Sequence, residues 1–188
     1  MMLCIISAQC TVEAQAFGAN SNNKTRYGYV KLNGVVVWQA SWAGEYPVYR
    51  GANMFVVDRS TCTLQESRNF DTWADSGAAV QLRDYLQRLS DGTVLVGVSC
   101  DEASRYLSPA EPTLNALGAD VSDVGDRGAW VFVAEKGKPA KTVLDKELIE
   151  AASNARQPRI TVSFTGALCC RKSAHLSSFL DEFIIPVD

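Results

Sequence analysis

Residues 27–32 (YGYVKL), Asn33-Gly34 and residues 35–42 (VVVWQASW) decide the architecture. The first run alternates faces at period two, and the second is rich in β-branched and aromatic residues. Asn-Gly between them is the strongest two-residue signal for a hairpin turn. An antiparallel pair therefore anchors the N-terminal third. Outward from it, residues 53–57 (NMFVV) and 64–70 (LQESRNF) give a second pair across the polar turn 58–61, with Cys62 close behind.

Beyond the strands the period changes. Leu82, Tyr85, Leu86 and Leu89 recur at helical spacing, Asp75 or Ser76 offers a cap, and Asp91-Gly92 is a stop. Residues 94–100 (VLVGVSC) are apolar enough for a strand buried on both faces. Ser108-Pro109-Ala110-Glu111 has the form of a capping box opening a short helix that ends at Gly118. Residues 129–134 (AWVFVA) read as a strand, 144–154 as a third helix and 160–164 (ITVSF) as a last strand. The tail 167–188 holds a cysteine pair and the apolar run 179–185. The fold class is α+β: a compact sandwich of mostly antiparallel sheets flanked by two or three helices.

The chain has 188 residues, 47% apolar and 21% charged, with a net charge of -3. That is the size and make-up of one globular domain. Eighteen Lys plus Arg against twenty-one Asp plus Glu leave no basic excess for a nucleic acid or an anionic membrane surface. No run approaches the roughly 18 apolar residues that membrane insertion takes. The one histidine, His175, in a polar stretch, leaves little material for a Ser-His-Asp triad or His-based metal ligation. Catalysis is not expected.

Met1 to Ser7 (MMLCIIS), followed by Ala8-Gln9-Cys10, reads as a secretory leader remnant over residues 1–9, although it is short and lacks a basic flank; an early first strand is the alternative. The single domain then runs from 10 to 188. Asn23-Lys24-Thr25 is a glycosylation acceptor at Asn23 in a polar loop, which fits secretion. Loss of Cys4 with the leader leaves Cys10, Cys62, Cys100, Cys169 and Cys170, with no zinc or redox spacing. In an oxidising compartment five cysteines make two bridges and one leftover, hence an expected disulfide-linked homodimer.

Five turns of the middle region, in register, resemble one family. Residues 49–58 (YRGANMFVVD) are similar to its G-R-G-I/L-N-V-V-V-L-D/N entry, 70–72 to its F-D-T, and 89–96 (LSDGTVLV) to its helix-to-strand turn. Residues 101–104 (DEAS) are similar to D-D/E-G-S, and 125–137 (GDRGAWVFVAEKG) to G-F/W-R-D-S/T-W-A/V-F-I/V-G-x-K-G. Over residues 49–137 the chain resembles the interleukin-like EMT inducer and PANDER family, whose domain also forms the stem of protein O-mannose N-acetylglucosaminyltransferase and a module of a hyaluronan-degrading protein.

The resemblance implies an antiparallel sandwich with flanking helices, a secreted or lumenal location and, in some members, carbohydrate contact. The sugar-holding Arg, Asp and Arg of the glycosyltransferase stem fall on Arg50, Asp101 and Arg127. Gly128, Asp126 and Ala103 depart from the motif, and the family's cysteine positions are not reproduced. Sugar specificity and disulfide pattern therefore do not carry over.

The residue chemistry is consistent with a lectin. A sugar hydroxyl both donates and accepts, so its site needs guanidinium forks beside carboxylates, often with an aromatic ring under the apolar face. Arg50, Asp101, Glu102, Asp126, Arg127 and Trp130 supply that mixture. The competing reading of the charged set is a structural ion-pair cluster, and for Trp130 a core place in its apolar strand is favoured over stacking on a sugar. Asp101, Glu102 and Asp126 could also form an oxygen-rich calcium site, which would favour the diol of galactose. The leading expectation is a secreted lectin for glycans with terminal galactose or a β-galactoside. The rival is a secreted cytokine-like factor acting through a protein surface.

Overall fold

The computed structural model describes residues 9–19, 26–41, 49–122, 124–138, 146–150 and 159–165. Two sheets lie face to face, and helices cover the outer face of the second. In the first sheet, β1 (Gln9–Gln15), β3 (Tyr27–Leu32), β4 (Val35–Ser41) and β10 (Arg159–Thr165) run in the order β10-β1-β3-β4. The Asn33-Gly34 hairpin forms where its sequence places it. Both residues are left-handed, at φ 49° and 81°, as a primed turn needs.

The second sheet has the order β6-β5-β7-β8-β9, from β5 (Gly51–Asp58), β6 (Thr63–Phe70), β7 (Val94–Asp101), β8 (Ala129–Glu135) and β9 (Lys146–Glu150). β2 (Phe17–Gly18) adds to it in parallel, meeting Cys100 and Asp101 where β8 no longer pairs with β7. This sheet is apolar on both sides because it has a core on both sides. Phe55, Val57, Val94, Val96, Val98, Val131 and Val133 face the first sheet. Met54, Val56, Leu95, Trp130 and Phe132 point the other way, under α1 (Ala78–Arg88) and α2 (Glu111–Ala116).

Local signals shifted at both helices. Asp75 spends its carboxylate on the amide of Gly77 at 2.7 Å, so α1 starts only at Ala78, where Ala78 and Ala79 enter the core, and no side chain caps it. Ser108 does not cap α2 either. The buried Leu107 and Ala110 close a turn at 2.8 Å, and the helix opens at Glu111 with Pro112 in its first turn. The expected third helix at 144–154 is corrected: residues 146–150 are strand β9, antiparallel to β8 with Leu148 opposite Val131. Pairing the edge that β8 would otherwise present outweighs the local helical pattern. Two helices flank the sandwich among the described residues.

A disulfide between Cys10 of β1 and Cys62, in the turn between β5 and β6, ties the two sheets together across 52 positions. Cys100 is a free thiol buried in the shared core, with burial pushing its pKa well up. It offers no sulfur to a second chain. Asn23, Cys169, Cys170 and His175 lie outside the described residues. No helix among the described residues is long and apolar enough to cross a membrane.

Candidate functional site

Strand register gathers the motif turns at one end of the second sheet. Gly51 pairs with Cys100, Ala52 with Phe70, and Phe17 with Cys100. The turns at 49–51, 70–73 and 101–104 therefore meet there, and 125–128 closes against β2. Of the five non-glycine residues with positive φ among the described residues, three sit in this group: Tyr49 at 70°, Asp101 at 63° and Arg127 at 60°. Such backbone costs on the order of 1–3 kcal/mol per residue and collects at functional sites.

Close backbone approach sets the geometry. Gly51 has φ 94°, and a Cβ there would run into the carbonyl oxygen of Phe70. A Cβ on Gly18 would strike the carbonyl of Arg127. The buried Asn53 fixes the entry to the site: its amide donates to the carbonyl of Tyr49 at 2.9 Å and accepts from Asn69, which also donates to the carbonyl of Arg50.

Arg50 is gripped rather than loose. Its Nε and Nη2 donate to the two carboxylate oxygens of Asp71 at 3.0 and 2.7 Å, and the guanidinium lies 4.2 Å from the centre of the Trp73 ring. Arg105 approaches the same ring at 5.2 Å. Burial alone would raise the pKa of Asp71, but the Arg50 fork and the amide of Ala74 hold it below the ordinary carboxylate range. The 70–73 turn is tied to the next turn by Thr72, whose hydroxyl donates to the carbonyl of Ala103 at 2.8 Å and whose own carbonyl accepts from Tyr106.

Asp101 carries the most informative geometry. It is only 7% exposed, and its Oδ1 has no hydrogen-bond partner among the described residues. Burial raises its pKa against the pull of Arg50, Arg26 and Arg127. A buried acceptor costs free energy when left unmade, so among the described residues Asp101 Oδ1 is an uncompensated group at this end of the sheet. Glu102 is committed elsewhere. One oxygen accepts from the amide and hydroxyl of Ser104 at 2.6 Å each, the other from the amide of Arg127. Burial, with the Asp126 carboxyl alongside, keeps its pKa raised despite those donors.

The expected set thus divides. Arg50, Asp101 and Arg127 converge, with Arg127 and Asp126 exposed at the rim. Glu102 acts inward, shaping the Arg127 turn. Trp130 is corrected: it is fully buried, stacks on Phe132 at 5.7 Å in the core beneath the helices, and has no face to give a ligand. Among the described residues no three His, Cys, Asp or Glu side chains come together as a metal site, and both oxygens of Glu102 already accept hydrogen bonds.

Asp71, Trp73, Arg26 and Arg105 belong to the site and were not assigned to it from sequence. Asp71 and Trp73 lie in or next to the quoted F-D-T, a signal that names the turn and not its partner. The aromatic of the site is Trp73.

The interleukin-like EMT inducer family matches residues 50–138, a stretch that contains Arg50, Asp71, Trp73, Asp101, Asp126 and Arg127. The cell migration-inducing and hyaluronan-binding protein of Mus musculus is 30% identical over 125 residues, 65% of this chain and 9% of that protein. Protein FAM3C of Bos taurus is 31% identical over 103 residues, and protein FAM3A of Mus musculus 30% over 103; each match covers 54% of this chain and 44% of the relative. The chain thus spans less than half the length of each of these relatives. Residues 50–138 thus carry an interleukin-like EMT inducer domain.

Proposed function

We propose that this chain is a secreted recognition factor without catalytic activity, cytokine-like in the sense its family's description gives, and that the Arg50–Asp101–Arg127 end of the sandwich is its working surface. The Cys10–Cys62 bridge supports an oxidising compartment. The family description favours a protein partner and a signalling role. One observation favours a glycan at this end: a nearly buried carboxylate with an unused acceptor oxygen, set among arginine forks and a half-buried tryptophan. A sugar hydroxyl donates to such an oxygen while accepting from the neighbouring guanidinium groups, and a nearby hyaluronan-binding relative is consistent with that chemistry.

At the finer level, the ligand is a terminal galactose or β-galactoside bound by a disulfide-linked homodimer, which would add avidity. Binding is expected to survive chelation, because among the described residues no three acidic side chains lie together. A glycan panel holding β-galactosides and hyaluronan oligosaccharides, read with and without chelator, tests this. Binding lost on Arg127→Ala supports the site. No binding by the wild type in either condition leaves the protein-surface reading. For the dimer, Cys100 is buried and Cys10 is bridged to Cys62, so the link has to come from residues outside the described ones. A band of twice the monomer mass that collapses on reduction and disappears in Cys169→Ser/Cys170→Ser supports it; one monomer band throughout contradicts it.

A further inference from the structure

A ligand at this end of the sheet would meet Arg50, so the direction of its guanidinium matters. Asp71 takes Nε and Nη2, which fixes one edge of the guanidinium. Trp73 adds a flat surface, its ring centre 4.2 Å from the guanidinium carbon. Gly51 brings the Arg50 backbone against residues 70–72, and Thr72 fastens the tryptophan's own turn to the carbonyl of Ala103. The plate beneath Arg50 is therefore rigidly mounted between two of the turns that form the site.

We infer that Trp73 is a positioning residue of this site: together with Asp71 it locks the plane of Arg50, turning a flexible cation into a directional fork that selects ligands with paired oxygens. This rests on the glycan reading above. It is specific to arginine, because an ammonium at position 50 keeps the charge but loses both the bidentate edge and the stacking plane.

Affinity measurements with a β-galactoside (lactose) and with hyaluronan oligosaccharides test it on the whole chain. Wild type, Arg127→Ala, Trp73→Ala, Trp73→Tyr, Arg50→Lys and the Trp73→Ala/Arg50→Lys double variant are compared, each with its melting temperature. Trp73→Ala is expected to weaken binding by about 3- to 30-fold, the range of a partly desolvated cation–π contact. Trp73→Tyr should restore most of the loss. The double variant should bind no worse than Arg50→Lys alone, since both changes release the same group. A role in stability alone would shift melting without this coupling.

Should Arg127→Ala abolish binding while Trp73→Ala leaves it unchanged, or should the two losses simply add, the inference fails and the glycan site stands. If Trp73→Ala does not fold, Trp73→Tyr and Arg50→Lys decide: Tyr binding as weakly as Lys overturns the role. Absence of binding by the wild type would bring down the glycan reading, visible before any variant is made, and the role of Trp73 with it.

Discussion

Asp101 holds a carboxylate where burial disfavours its charge, on a left-handed backbone, with one oxygen unpaired among the described residues. Its folded pKa lies above the ordinary value, so between those two values the folded state keeps a proton that the unfolded chain has released. Stability then falls as pH rises through that window; the penalty is complete above the folded pKa and absent below the ordinary carboxylate range. Asp101→Asn, which cannot ionise, should therefore be more stable than wild type near pH 7, with the advantage shrinking as the pH is lowered toward 3. Chemical denaturation over that range checks it; a constant or reversed difference would contradict it. The same variant should lose saccharide affinity, the trade-off expected of a strained functional residue. Gly51→Ala acts through backbone instead. Both its φ of 94° and the carbonyl of Phe70 oppose a side chain, so it should lower the melting temperature and loosen Arg50 from Asp71.

At the scale of elements, two measurements separate packing from stapling. Leu82 is fully buried in the cluster beneath α1, and Leu82→Ala should cost about 2–5 kcal/mol in denaturant unfolding. Replacing Cys10 and Cys62 together by Ser should cost about 2–5 kcal/mol by releasing a long loop in the unfolded chain; an unchanged midpoint in either case would contradict the packing described.

What the sequence disclosed follows the same division. The 27–42 hairpin, β5, β6, β7 and β8 are legible because their signals are local: Asn-Gly at one turn, and apolar runs too continuous for one exposed face. β1 stood only as the alternative to a leader because its short alternation follows an apolar stretch, and β2 was missed because it exists through its parallel contact with Cys100 and Asp101. Residues 146–150 carry a helical pattern that the edge of β8 overrides, a non-local cause invisible in a window. In the site, Arg50, Asp101 and Arg127 came from motif resemblance. Asp71 and Trp73 escaped because their meaning lies in contact with Arg50, about 20 residues earlier. Trp130 shows the converse: an aromatic in a motif turned out to be core.

Taken whole, the molecule separates support from recognition. One end of the second sheet collects the left-handed residues Tyr49, Asp101 and Arg127, the arginines and the unpaired oxygen, while both faces of that sheet are given over to packing. Helices on one side and the first sheet on the other hold the turns rigid, as a preorganised site needs. A net charge of -3 says little here; its local pattern, arginine forks around one buried carboxylate, is what suits a polyhydroxylated ligand. The most direct test is a titration of the 15N-labelled chain with lactose and with hyaluronan oligosaccharides, followed by backbone amide shifts. The account predicts saturable shifts confined to Arg50, Trp73, residues 101–104 and residues 125–128, and their absence in Arg127→Ala. No shifts with either saccharide, or shifts confined to the outer face of the first sheet around Glu13 and Lys31, would contradict it.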